Sequence, residues 1–371
     1  MSESKTIRHD WRDIFHAFKM AFDPKKMFLG YAGLLVSLAW CMAVVAFFSA
    51  LKLISTQPSA LIKLVLSSAK EGIPVLAKDV LSAVMPIDCS ELFVLSILIF
   101  GLLMIWSLVG GAITRIAALD YAKDESVRLA DALKFARKKF WSYFWSPLVP
   151  VIGVFFFALC NVAGGLMGRI PVVGEVAVAL GFPFALISGF LMVFIGVIGA
   201  LGLCFMFPTI SAEGSDAFDA MSRAYSYVLS RPKKFLVYCC IQGIYGLICL
   251  ALTAFAAWLM IRLSFFTVGA GMGQKFSLVQ SFISQKCNIA CLGYCSSSFT
   301  EVKTVDVCLG YWSLKFLAWI LIGYIFLIKL AVWNFAVTYV FSAKTIVYFL
   351  LRKEIDSTDI SDVYMDEEKQ E

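Results

Sequence analysis

Six long apolar runs decide what this chain can become. They cover roughly residues 28–51, 92–114, 144–166, 181–207, 235–261 and 314–342. Each meets the need of a helix that crosses the ~30 Å hydrocarbon core of a bilayer, about 20 mostly apolar residues. Inside that core every backbone N–H and C=O must find a partner within the protein, which favours helices for runs of this length. Composition agrees. The chain is 60% hydrophobic and 16% charged, where soluble proteins are roughly 45–50% apolar and 25% charged. The expected fold class is an all-α integral membrane protein with six transmembrane helices. A secreted disulfide miniprotein, a nucleic-acid-binding domain and a disordered chain are all excluded.

The boundaries carry two complications. The third and fourth runs part at Gly168 and Arg169, with Pro171 just beyond, and the apolar stretch 171–180 follows. That stretch reads as interfacial or re-entrant, with Pro183 marking a bend into the fourth span. Residues 311–351 exceed one upright span, so the last helix is expected to tilt or to run on along the interface. Six spans put both termini on one side. Segments 1–27, 112–140, 207–234 and 343–371 hold 21 of the 32 Lys and Arg, and positively charged loops stay in the cytoplasm. The expectation is an N-in/C-in, multi-pass protein of a bacterial inner membrane. Its parts are an amphipathic cytoplasmic segment 1–27, a membrane domain 28–353 with outer loops at about 52–91 and 262–313, and a tail 354–371. The tail has eight acids against Lys369, which gives it −7 and leaves +13 on the rest. Such a segment is expected to stay solvated and disordered.

A short amphipathic stretch precedes each odd-numbered span, and the three are alike. The first runs from Asp13 to Phe18 and turns at Pro24-Lys25-Lys26. The second runs from Asp131 to Ala136 and turns at Phe140-Trp141. The third runs from Asp219 to Ala224 and turns at Pro232-Lys233-Lys234. In the third, Phe218, Met221, Tyr225 and Val228 fall on one helical face, with Asp216, Asp219, Arg223 and Ser226 on the other. Asp219 and Arg223 are spaced to pair. Helices of this kind lie in the membrane plane, apolar face among acyl chains and basic residues near anionic headgroups. The chain thus reads as a threefold repeat of interfacial helix plus two spans, with Asp219, Arg223, Lys233 and Lys234 as the hinge of the third.

The third unit is also where a family resemblance lies. Residues 208–214, Pro-Thr-Ile-Ser-Ala-Glu-Gly, precede Ala220-Met221-Ser222-Arg223-Ala224-Tyr225. Together they are similar to the Glu-Gly, Ala-x-x-Arg-Ser signature of the polytopic membrane region beside some bacterial glycerophosphodiester phosphodiesterases. Ala224 stands where that group has Ser. With Lys344 to Arg352 and Asp362-Val363-Tyr364, the unit resembles uncharacterised multi-span proteins of planctomycete-type bacteria. The resemblance covers about a third of the chain and implies fold and location, not an activity. The acids and His that a phosphodiesterase needs are not clustered here, and the only His are His9 and His16.

Of eleven Cys, Cys41, Cys160, Cys204, Cys239, Cys240 and Cys249 lie in the spans, where Cys acts as a small hydrophobe. Cys89, Cys287, Cys291, Cys295 and Cys308 lie in the outer loops. In an oxidising compartment these five are candidate disulfide partners. Free thiols are one alternative; a metal site is another, although the spacing does not match the usual zinc pairs. No cofactor is implied.

Lys329 sits inside the sixth run. A charge at mid-membrane depth costs roughly 2.5–3.5 kcal/mol on insertion scales, so Lys329 is a candidate polar site with Glu175 as a partner. Snorkelling of its long side chain is the plainer account. The fourth span carries Ala185-x3-Gly189 and Gly196-x3-Ala200, a spacing that lets helices pack closely in lipid, within one chain or between copies. Gly269 to Lys275 fails as a phosphate loop, because Gln274 precedes the Lys and Phe276 follows it. The expected function is non-enzymatic, that of a structural, scaffolding or accessory membrane component. Its partners would be the lipid bilayer and other membrane proteins, with no nucleic acid. The alternative is a transporter or channel for a small or lipid-like solute that uses Lys329 and Glu175.

Overall fold

The computed structural model describes residues 10–51, 89–171, 173–287 and 312–365. Every regular element among them is helical. After a single 3₁₀ turn at Trp11–Phe15 come α1 (His16–Ala21), α2 (Pro24–Ala50), α3 (Cys89–Lys123), α4 (Leu129–Lys138) and α5 (Phe140–Trp145). Then follow α6 (Leu148–Met167), α7 (Val173–Glu213), α8 (Ala217–Ser230), α9 (Pro232–Met272), α10 (Gln274–Cys287) and α11 (Trp312–Asp356). Six of these, α2, α3, α6, α7, α9 and α11, are long and apolar enough to cross a membrane.

Three of the six run far past what a bilayer requires. Helices α7 and α9 have 41 residues each and α11 has 45. At 1.5 Å per residue these are roughly 60–68 Å long, about twice the hydrocarbon thickness. The stretch 171–180 is neither re-entrant nor a separate interfacial piece. From Val173 on it forms the first turns of α7, which continues through Pro183 and Pro208 to Glu213. The turn between α6 and α7 is tight because Gly174 lies against Met167, where a Cβ would run into the carbonyl oxygen. Burial then splits α7 in two. Leu180, Phe184, Phe190 and Val193 are exposed, as are Phe155, Phe156 and Val162 on α6, whereas Phe205, Met206, Ile210 and Ala212 are buried. Large apolar side chains left bare in this density belong against lipid; the last turns of α7 belong to a protein core.

The chain divides into two compact units. The first comprises Met1–Gly30, Leu103–Gly246 and Val337–Glu371. One of its cores packs Leu29 against Ala112, Ile113 and Ile116 of α3 and Ala132 and Ala136 of α4. A second joins Phe135, Tyr143, Ile210 and Ala220 from α4, α5, α7 and α8. The alanines let these helices approach closely. Lys26 is fully buried and pairs with Asp120 at 3.0 Å, while Tyr121 donates to Asp13 at 3.1 Å.

The second unit comprises Tyr31–Leu102 and Leu247–Ala336. Val44 and Phe48 of α2 pack on Val94 of α3. Val279, Phe282 and Ile283 of α10 pack on Ala318 and Ile325 of α11. Positions 279, 282 and 283 share one helical face, so α10 folds as an amphipathic lid on that cluster.

Helix α8 turns differently from its sequence pattern. The buried stripe is Ala220, Ala224, Tyr227 and Val228, and Phe218 is left exposed. Its N-cap is Asp216, whose carboxylate accepts the Asp219 N–H at 2.9 Å. We expect Asp216→Ala to cost about 1 kcal/mol, the usual value of a lost side-chain cap. Thermal unfolding in detergent reads this, and an unchanged midpoint would mean that the cap adds nothing.

Candidate functional site

The polar groups of the first unit converge on the C-terminal turn of α7, residues 208–214. A helix end leaves its last carbonyls without intrahelical donors and gathers partial negative charge. Burying such an end requires donors from elsewhere, preferably cations. Here four consecutive residues recruit five separate elements.

Ser211 is fully buried. Its hydroxyl hydrogen-bonds with the hydroxyls of Thr114 at 2.6 Å and Tyr143 at 2.7 Å. Its carbonyl accepts from the Arg115 Nη1 at 2.6 Å. The same guanidinium lies 4.1 Å from the centre of the Phe135 ring, a cation–π contact. Through Nη2 it also donates to the Tyr364 carbonyl at 2.7 Å. The Tyr364 N–H in turn donates to the Ala212 carbonyl at 2.8 Å. A segment after α11, residues 357–365, is thereby strapped onto the end of α7, with Ile360 and Val363 buried beneath it.

Glu213 follows. Its Oε1 accepts from the Tyr348 hydroxyl at 2.6 Å and lies 3.2 Å from Arg352 Nε. Its Oε2 pairs with Arg223 of α8, which also binds Asp219 at 3.0 Å. Glu213 and Arg352 side chains are each only 8% exposed. Arg352 extends the network by donating to the Asp362 carbonyl at 2.7 Å. Burial alone would lower the pKa of Arg223, but the Asp219 hydrogen bond and the Glu213 charge outweigh it and hold the guanidinium above its ordinary value. For Tyr227 burial comes first and the Asp356 carboxylate second, and both raise the phenol.

Gly214 closes the turn with φ +62°. Its N–H returns to the Ile210 carbonyl at 2.9 Å, its own carbonyl accepts from Lys139, and the Tyr364 ring covers the face where a Cβ would stand. This combination is what a left-handed C′ glycine provides. Nearby, Glu354 gathers Lys234 at 2.7 Å, Tyr238 at 2.8 Å and Arg231 at 3.7 Å.

The arrangement has the form of a clamp. Glu213 is committed on both oxygens to cations and a phenol, which leaves it poorly placed to move a proton. Among the described residues, no three His, Cys, Asp or Glu are grouped to hold a metal ion.

The residues singled out from sequence fare unevenly. Asp219 and Arg223 pair as their spacing predicts, but Arg223 leans toward Glu213 and is no purely solvated hinge residue. Lys234 binds Glu354, and Lys233 is exposed. Glu175 is exposed in the first turn of α7, and Lys329 is half-buried on α11. Of the acidic tail, residues 354–365 are described: Glu354 binds Lys234, Arg352 donates to the Asp362 carbonyl and Arg115 to the Tyr364 carbonyl, and residues beyond lie outside the described part. Cys291, Cys295 and Cys308 also lie outside it, as do the side chains of Cys89 and Cys287, and so do the outer segments around Leu61–Leu66 and Leu76–Val84. The cysteines within the spans are free thiols. Arg115, Thr114 and Tyr143 were not flagged by sequence reasoning. The available signal was a basic residue inside an otherwise apolar run, Gly110 to Leu119.

Comparison of the chain with protein-family models, curated proteins and solved structures finds no match.

Proposed function

We propose that this protein is a non-enzymatic structural or accessory component of a bacterial inner membrane, with both termini cytoplasmic. The observation that carries the reading is the clamp at residues 211–214. The charges that repeat in the chain's hinges are engaged with one another, Arg223 and Arg352 with Glu213, Lys234 with Glu354, and Lys26 with Asp120. Charged groups arranged in this way fix the relation between helices; a solute path needs them facing water or substrate. Three short helical segments, α1, α4 and α8, each lead within a few turns into a long helix, which supports three repeated units of interfacial helix plus two spans. Exposed Phe218 and Leu229 on α8 and Trp141 and Trp145 on α5 suit the headgroup level, where aromatic rings gather.

The test has two arms. Native mass spectrometry of the protein extracted from its own membrane in mild detergent is expected to find it in an assembly of defined stoichiometry, with copies of itself or with another membrane protein. Proteoliposomes loaded with ions and small solutes are expected to stay tight. A monomer together with flux that Lys329→Leu abolishes would overturn the reading in favour of transport.

A further inference from the structure

Between α9 and α10, within the second unit, lies a groove of about 500 Å³, a size ordinary for small-ligand sites. Its walls are apolar, with Leu263, Phe265, Phe266 and Phe276 prominent, and its polar lining is limited to Arg262, Ser277 and Gln280 apart from the Trp258 indole. The Arg262 guanidinium stacks on the Trp258 ring at 5.2 Å. Its Nε is buried and makes no hydrogen bond. No acidic side chain lines the groove among the described residues.

Two observations fix what such a groove can hold. A guanidinium is costly in apolar surroundings and carries five donors in a planar fork, matched best by a carboxylate or phosphate. With Nε buried and unused and no carboxylate beside it among the described residues, that donor lacks its complement. Second, the groove continues from Arg262 along exposed Leu263 and Phe266, a surface suited to an acyl chain.

We propose that this groove is a binding site for an anionic membrane phospholipid, its phosphate on Arg262 and one acyl chain along Leu263, Phe265 and Phe266. A net-anionic headgroup is favoured over a zwitterionic one because no acid among the described residues lines the groove to receive an ammonium. The site is independent of the structural or transport role of the protein, and it lies apart from the charge clamp in sequence and unit.

The experiment uses the full chain in nanodiscs with equal phosphatidylglycerol and phosphatidylcholine, followed by release into detergent and native mass spectrometry of the retained lipid. Wild type is expected to keep one phosphatidylglycerol with roughly tenfold preference, the ratio that one well-placed charged contact supplies. Arg262→Leu should lose that preference, and Arg262→Lys should keep part of it, since an ammonium gives one point of contact and no fork. Phe266→Glu supplies the missing carboxylate from an exposed position that the fold does not depend on, and it should expel the lipid while leaving Arg262 in place. Equal retention of both lipids by wild type would overturn the proposal. So would undiminished phosphatidylglycerol on Arg262→Leu or Phe266→Glu. Retention of added oleate in place of phospholipid would overturn the assigned source.

Discussion

Glu213→Ala is expected to lower stability by about 3 kcal/mol or more, the low end of what breaking a buried ion pair costs. The removed carboxylate serves Tyr348, Arg352 and Arg223 together. Of these, Arg223 is 42% exposed and can turn to Asp219 and water, so its share is small. Arg352 cannot turn away, being 8% exposed, and it keeps only the Asp362 carbonyl and a distant carboxylate at 3.6 Å. Most of the effect therefore comes from Arg352 and the stranded Tyr348 hydroxyl. Two further variants separate these parts. Glu213→Gln retains an acceptor for Tyr348 and should recover part of the loss. Glu213→Ala combined with Arg352→Met removes both charges and should be less damaging than the sum of the single changes. Thermal unfolding in one detergent, followed by intrinsic fluorescence, ranks these proteins together with Arg352→Met alone. Additive losses would mean that Glu213 and Arg352 are not coupled.

Gly214→Val should be of similar size, for reasons of shape and not charge. At φ +62° a side chain costs roughly 1–2 kcal/mol on backbone grounds alone, and more when β-branched. The new Cβ would also stand 2.6 Å from Tyr364 Cδ1, so the ring must leave and with it the strap. Overpacking of this kind adds about 1–3 kcal/mol. The readout is limited proteolysis near residues 357–365 together with the unfolding midpoint. Gly214→Ala should be milder, and Tyr364→Ala should relieve part of its cost by removing the ring. If Tyr364→Ala makes Gly214→Ala worse, the ring is not what crowds the site.

How far these features could be read beforehand depended on range. The six long helices were legible because twenty apolar residues in a row leave the backbone little choice. Residues 171–180 look separate in the sequence because Pro183 resembles a helix boundary. In a long apolar helix its missing N–H leaves only one carbonyl without a donor, and α7 passes through. Asp219 and Arg223 were legible because helical spacing is local. Their link to Glu213 was not, since it joins α8 to the preceding helix end by a turn at Gly214. Glu213, Gly214, Arg223, Arg352 and Tyr364 meet in space from two stretches of the chain that lie far apart in sequence. Arg115 was overlooked for the same reason. Its partners, Ser211 and Tyr364, are 96 and 249 positions away, and no periodicity spans such distances.

That separation also orders the protein's making. The backbone of Tyr364 completes the end of α7, yet it is synthesised 150 residues after Gly214. At about 5–20 residues per second, the Ala212 carbonyl and the Arg115 guanidinium stand without this partner for on the order of ten seconds, while α9 and α11 are still entering the membrane. The first unit is therefore sealed late, and a nascent chain carries an open helix terminus until residue 364 has been made.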